Sequence, residues 1–305
     1  MPLAVSVVIC TFDRPALLAA TVQSCLDDPA QTPYEIIISD NSRAGHGVAL
    51  AAALNDLRVR AVTASPPNIS IARNAGIAAS TAPLVAFLDD DVVIEAGWLD
   101  AMAGVMAGGA DGAIGPLRPV FDGGPPPWDP AGRRFTRVLA AGDGATIIPS
   151  ATTPGFVVST ASSIWRRATC FTDPAPFDPA YGASGGEDLD LFLRLERRGR
   201  RFIWCAGGGV RETIPASRTA WRYQVLRAFS GAQVYTAATV RHSMTPARRA
   251  AGIMARGAAQ AGLGVAAAAP AILRGRGLDA AFLLAAGLGK LTWWRKMPLY
   301  QMERP

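Results

Sequence analysis

Leu84-Val85-Ala86-Phe87-Leu88-Asp89-Asp90-Asp91 passes from five apolar residues straight into three carboxylates. A short continuous apolar run bounded by a polar turn reads as a buried strand. Two earlier stretches have the same form. Val5–Cys10 leads into Thr11-Phe12-Asp13-Arg14-Pro15, and Glu35–Ser39 leads into Asp40-Asn41-Ser42. Leu17, Leu18, Val22, Cys25 and Leu26 then fall at helical spacing, with Pro15 near the first turn where its missing N–H costs little. A strand at Val59–Thr63 and a helix over Ser70–Ser80 complete the alternation. Strands alternating with helices predict βαβ units, hence an α/β fold with a Rossmann-like, mainly parallel sheet flanked by helices. Ligands of such sheets bind at the carboxyl ends of the strands. The polar clusters after the first, second and fourth strands are therefore expected to line one crevice.

Further along, residues 122–156 are rich in Gly and Pro and read as a long loop, a lid or acceptor-side flap. A strand is expected over Phe156–Trp165 and a last short one over Arg201–Cys205. Between them, Gly185-Gly186-Glu187-Asp188 opens an amphipathic helix with Leu189, Phe192, Leu193 and Leu195 on its apolar side. From about Ser217 the character changes to three helical segments, near 218–242, 246–270 and 278–296. The expected division is a catalytic domain over 1–216 and a basic helical region over 217–305. No window holds 18 uninterrupted apolar residues, so an ordinary transmembrane helix is not supported.

The 305 residues carry 30 Lys and Arg against 24 Asp and Glu, a formal charge of +6 that hides a split. Residues 1–193 hold 11 basic and 20 acidic side chains, a balance of −9; residues 194–305 hold 19 and 4, a balance of +15. Half of all residues are hydrophobic, which excludes a disordered chain. Cys10, Cys25, Cys170 and Cys205 stand far apart with no CxxC pair, which argues against a zinc site or disulfide framework and fits a reducing compartment. The N-terminal apolar run lacks a basic flank and a cleavage site, so it reads as a first strand and not as a signal peptide.

Three adjacent carboxylates repel one another. Oxygen-rich clusters of this kind suit Mg²⁺ or Mn²⁺, with diphosphate oxygens completing the shell. The plainer alternative is an acidic surface turn ahead of the helix beginning near Glu95. Glu187-Asp188 likewise has two readings, catalysis or simple capping, because acids favour a helix N-terminus. Trp98 and Trp128 could stack on sugar faces or pack in the interior.

Taken together and in order, these motifs resemble glycosyltransferase family 2, the inverting sugar-nucleotide enzymes with the GT-A fold. The resemblance covers roughly residues 3–205 and rests on Ser6–Arg14, Phe87–Asp91 and Glu187–Asp190. It implies that Thr11, Asp13 and Asp40 surround the nucleoside, Asp40 by accepting a hydrogen bond from the base edge. Arg73 and Asn74 would sit beside the nucleotide. Asp89 and Asp91 would form the D-x-D element, Asp91 as the direct ligand of Mn²⁺ or Mg²⁺ and Asp89 nearer the ribose. Asp188 matches the general base, with Glu187 beside it to contact the acceptor. Many relatives place a His near Val210–Pro215, whereas this chain has only His46 and His242. Glu212 and Arg218 are the candidates for that missing metal or diphosphate contact. The Gln-x-x-Arg-Trp signature of processive synthases is absent, so transfer of one sugar is expected.

The C-terminal part resembles bacterial exopolysaccharide glucosyltransferases of the succinoglycan type, which implies a lipid-linked saccharide or glycan acceptor for a UDP-sugar donor. Basic helices with Leu, Phe and Trp on the other face read as membrane-surface elements, with Arg248, Arg249, Arg274, Arg276, Arg295 and Lys296 towards anionic lipid. The rival is a helical cap whose arginines are merely solvated. The corresponding location is the cytoplasmic side of the inner membrane, held peripherally. Charge alone would admit nucleic acid, but no recognised module supports it. The rival enzymes are a polyprenyl-phosphate sugar synthase and, in another class, a nucleotidyltransferase releasing pyrophosphate.

Overall fold

A computed structural model describes residues 2–151, 158–273 and 277–299. β1 (Val5–Thr11), α1 (Pro15–Leu26), β2 (Tyr34–Asp40), α2 (His46–Leu54), β3 (Val59–Thr63), α3 (Ile69–Ala79) and β4 (Leu84–Asp89) form the expected alternation. Every residue of β1 and β2 is buried, because a parallel sheet with both faces covered has no solvent side. Asn68 caps α3, its side chain accepting from the Ser70 and Ile71 amides. Gly76 lets α3 lie close on β1; a Cβ there would collide with Val8 Cγ1.

The chain continues through β5 (Val92–Ile94), α4 (Trp98–Val105), β6 (Gly112–Ile114), β7 (Leu117–Phe121), β8 (Thr146–Ile147), β9 (Ser162–Arg166) and α5 (Arg167–Cys170). It then forms α6 (Glu187–Arg197), β10 (Phe202–Trp204), β11 (Val210–Ile214), α7 (Ala216–Thr219), α8 (Trp221–Arg241), α9 (Pro246–Leu273) and α10 (Gly277–Leu291). Eight strands form one sheet in the order β3-β2-β1-β4-β9-β6-β10-β8, and β5-β11-β7 form a second. The large sheet is mostly parallel. The strand expected over 156–165 is the later β9, antiparallel to both β4 and β6, and residues 156 and 157 lie outside the described set. Two expectations are corrected. β10 is not the last strand, since β11 follows and pairs with β5. The Gly/Pro-rich segment is not all loop, because β8 within it pairs with β10.

Two compact units emerge, and neither is contiguous in sequence. The first comprises residues 1–120, 133–179 and 195–213, and its core runs from Val5, Val7 and Ile9 through Ile36 and Ile38 to Leu88, Trp98 and Ile164. The second gathers 121–132 and 180–194 with 214–305, where a single cut at 216 was expected. Its helices α9 and α10 approach closely at glycines. A Cβ on Gly287 would lie 2.6 Å from the Ala261 amide nitrogen, and one on Gly264 would lie 2.8 Å from that of Leu284. No helix among the described residues is long and apolar enough to cross a membrane. All four cysteines are free and buried.

Candidate active site

In the first unit the register of the sheet sets Thr11 opposite Asp40 and Cys10 opposite Asp89. The polar ends of β1, β2 and β4 thus meet at one edge, as expected. Thr11 Oγ1 donates to Asp90 Oδ2 at 2.8 Å. Arg14, in the loop after β1, bridges Asp90 and Asp91 through Nη1, at 3.2 and 3.1 Å. Arg73 on α3 is buried; its Nη2 lies 3.4 Å from Asp89 Oδ1, and its guanidinium stacks over the Phe177 ring at 5.3 Å. Asp13 is exposed in a left-handed conformation (φ 52°) that aspartate tolerates better than most residues, with His46 Nε2 4.0 Å away.

The three acids of the turn are therefore unlike. The Asp89 side chain keeps 39% of its surface in solvent, while Asp90 and Asp91 are buried. Burial pushes the Asp90 carboxyl up, against the opposing effects of Arg14 and Thr11. The mutual repulsion that the sequence suggested a divalent ion would relieve is met here by two guanidiniums, Arg14 and Arg73. Asp91 had been singled out from the sequence as a metal ligand, but Arg14 as its partner had not. The signal was available in principle, since a buried acidic pair requires a cation and Arg14 belongs to the first strand-end cluster.

Several expected ligand contacts turn out to hold the scaffold. Asp40 is fully buried, and its Oδ1 accepts from the Ser42 amide and hydroxyl while Oδ2 accepts from the Gly47 and Val48 amides. Four donors fill the lone pairs of a carboxylate, so none remains for a base edge. Asn74 exchanges two hydrogen bonds with the Phe177 backbone, at 2.8 and 2.9 Å, and ties α3 to the segment before Pro179. Trp98 is wholly interior, its Nε1 bonded to Ser162 Oγ at 3.0 Å, so it offers no face to a sugar. Glu212 is buried on β11 opposite Val92, and the next residue donates its amide to the Asp91 carbonyl. Among the described residues no three acids, histidines or cysteines gather as a metal cage, so Glu212 does not complete one with Asp89 and Asp91.

The second unit holds Glu187 and Asp188 in the first turn of α6. Glu187 and Asp190 are buried, whereas Asp188 is half-buried. Asp190 points to the end of α8, where His242 Nε2 lies at 2.8 Å and Arg241 Nη1 at 3.4 Å; this pair had no signal beyond the presence of a second histidine. Gly186 has φ 94°, and a Cβ there would collide with Val234 Cγ1 of α8. Trp128 is also in this unit and half-buried, with Nε1 bonded to the Thr219 carbonyl and its ring 5.9 Å from Phe282. Arg218, on α7, accepts a hydrogen bond at its carbonyl from Gln224.

Residues 6–161, just over half of the chain, match the family model described as Glycosyl transferase family 2. The chain belongs to glycosyltransferase family 2. It is 28% identical over 235 residues to the succinoglycan biosynthesis protein ExoM of Rhizobium meliloti (strain 1021), covering 74% of this chain and 72% of that protein. Among solved structures it is similar to S. aureus TarS 1-349, with a TM-score of 0.56 at 13% identity, over 81% of this chain and 68% of the other. A longer TarS structure matches with a TM-score of 0.53 at 15% identity, over 81% and 45%. The fold is thus the GT-A type, and this family 2 enzyme is a glycosyltransferase. For the metal of the D-x-D element, the donor chemistry fits: Mg²⁺ and Mn²⁺ take one or two protein carboxylates when phosphate oxygens fill the remaining positions, and Asp89 and Asp91 are such a pair.

Proposed function

We propose that this glycosyltransferase is metal-dependent and inverting, and moves one hexose, glucose first among the candidates, from a UDP-sugar to a lipid-linked oligosaccharide or glycan acceptor. The observation that carries the donor half is the convergence of Thr11, Arg14, Arg73 and the Asp89–Asp91 turn at the carboxyl ends of β1 and β4. Asp89 has the accessible carboxylate for ribose or metal, and Asp13, in the loop after β1, is exposed as well. A Mn²⁺ or Mg²⁺ held by Asp89 and Asp91 would neutralise charge growing on the departing diphosphate.

Asp188 is the proposed general base. Of the three acids opening α6, it alone is not buried, which a group that meets an acceptor hydroxyl requires. The hydroxyl oxygen attacks the anomeric carbon, the bond from that carbon to the diphosphate oxygen breaks, and Asp188 takes the hydroxyl proton. Attack opposite the leaving group turns an α-linked donor into a β-linked product. Glu187 would support that turn, Arg218 would meet the diphosphate, and half-exposed Trp128 is the aromatic left to contact a sugar acceptor. The similarity to a succinoglycan biosynthesis protein supports an exopolysaccharide-type acceptor, and the basic C-terminal helices support attachment to an anionic membrane surface with no nucleic acid partner.

The test is incubation of the full chain with a panel of labelled UDP- and GDP-sugars, a divalent ion and membrane lipid extract, with the product identified by mass. A β-hexosyl glycan or glycolipid with release of UDP is expected, and Asp188→Asn should lower turnover at least a thousandfold while UDP affinity stays within a factor of about three. Pyrophosphate release would overturn the reading in favour of nucleotidyl transfer. A sugar phosphoester of the lipid would move the acceptor to a polyprenyl phosphate.

A further inference from the structure

Among the described residues, the side chain of Arg14 makes hydrogen bonds through one guanidinium nitrogen only. Nη1 serves both Asp90 Oδ1 and Asp91 Oδ2, and both acids are buried. The arginine itself keeps 37% of its side chain in solvent, and among the described residues Nε and Nη2 have no hydrogen-bond partner. A guanidinium carries five donors in a planar fork that matches phosphate oxygens. Arg14 therefore closes the carboxylate of Asp91 with one edge and shows an unused edge to solvent. Asp89, two residues away, is neutralised separately by Arg73.

We propose that Arg14 is a resident cation of the acidic turn, which screens Asp91 from free divalent ions until a nucleoside diphosphate draws the unused edge of its guanidinium onto phosphate oxygens. The inference rests on the nucleotide-sugar reading of this site and adds an order of events to it. A dication approaching Asp91 alone meets a positive charge already held by the same carboxylate, at a distance where like charges repel strongly. A diphosphate brings several negative charges and accommodates both cations together. Metal and diphosphate then favour each other's binding, and that coupling is reciprocal. The arrangement would keep the site from filling with Mg²⁺ in the absence of donor.

The experiment measures Mn²⁺ binding to the full chain by calorimetry, alone and with saturating UDP, for the native protein, Arg14→Gln and Arg14→Lys, each checked by thermal melting. The native protein should bind Mn²⁺ weakly alone and at least tenfold more tightly with UDP. Arg14→Gln should bind Mn²⁺ alone about tenfold more tightly than the native protein and lose most of the coupling. Arg14→Lys keeps a cation at the turn and should stay weak for Mn²⁺ alone. Equal Mn²⁺ affinity of native protein and Arg14→Gln overturns the proposal. So does native Mn²⁺ binding that UDP leaves unchanged while UDP itself binds, a result that needs no variant to fold. If no form binds UDP even with Mn²⁺, it is the nucleotide-sugar reading that fails, while the comparison in Mn²⁺ alone still decides what Arg14 does.

Discussion

Asp40 and Asp89 end the two strands that flank β1, yet they differ in what their oxygens have left to offer. Asp40 is fully buried with four donors on its carboxylate, while Asp89 is part-exposed beside one guanidinium. Asp40→Asn replaces an acceptor oxygen by a donor facing backbone N–H groups, and should cost about 1–3 kcal/mol of stability in urea denaturation. Asp89→Asn should leave the denaturation midpoint nearly unchanged and weaken UDP binding in Mn²⁺ instead. Burial pushes the Asp40 carboxyl up, but the bonds from Ser42, Val48 and Gly47 more than offset that and hold it below the ordinary carboxylate range. An acid depressed in the folded state contributes stability that is whole above its unfolded value near 4 and is lost as pH falls through the folded one. The native protein should therefore lose more stability than Asp40→Asn when denaturation is repeated at about pH 3 instead of about pH 6. Equal losses would show that the fold does not hold this carboxyl below its unfolded value. An acid after the second strand was legible in the sequence. That the turn folds back onto it was not, because this depends on Gly45 in a left-handed conformation (φ 70°) delivering Gly47 and Val48 to its oxygens.

At the scale of elements, the legible parts were the mainly apolar stretches bounded by polar turns. β1, β2, β3 and β4 were expected within a residue at each end; β1, β2 and β4 are largely buried on both faces and mainly apolar, whereas β3 is buried only at Val59 and followed from the alternation of strands and helices. β6 is three residues, too short for a period, and β11 alternates buried Val210, Glu212 and Ile214 with more exposed Arg211 and Thr213, so neither was expected, whereas the equally short β10 was expected over Arg201–Cys205. The start of α6 was legible as a helix, but the reason for its glycines lies in α8. Gly186 combines φ 94° with the approach of Val234, so a side chain is opposed by the backbone and by a neighbour at once. Gly186→Ala should destabilise the protein by about 2–4 kcal/mol, from left-handed strain together with overpacking. Adding Val234→Ala removes only the collision, so the double variant should recover part of the loss and not all of it. Denaturation midpoints of the three proteins separate the two contributions, and full recovery would mean that the backbone is unstrained.

At the scale of the whole molecule, charge is distributed in a way the net +6 conceals. Residues 217–305 hold 13 Lys and Arg against Asp279 and Glu303, and Trp221, Leu263, Val265 and Trp294 are among the exposed apolar side chains of the same unit. No described helix can cross a bilayer, and Arg274 and Arg276 lie outside the described residues. Cations and large apolar groups exposed together are what an interfacial surface needs, since each basic residue near anionic lipid contributes about 1 kcal/mol and apolar side chains add burial below the headgroups. A helical cap with merely solvated arginines would need neither. Arg248 and Arg295 are exposed and lie far apart in sequence, one early in α9 and the other just beyond α10. Native full-length protein should float with vesicles containing phosphatidylglycerol and much less with phosphatidylcholine alone, and raising the salt should release it. Reversing both charges, as Arg248→Glu with Arg295→Glu, should lower binding to the anionic vesicles by tenfold or more while the thermal melt is kept. Equal binding to both lipids would assign attachment to apolar contact alone, and no binding to either would leave the +15 of residues 194–305 as solvated charge.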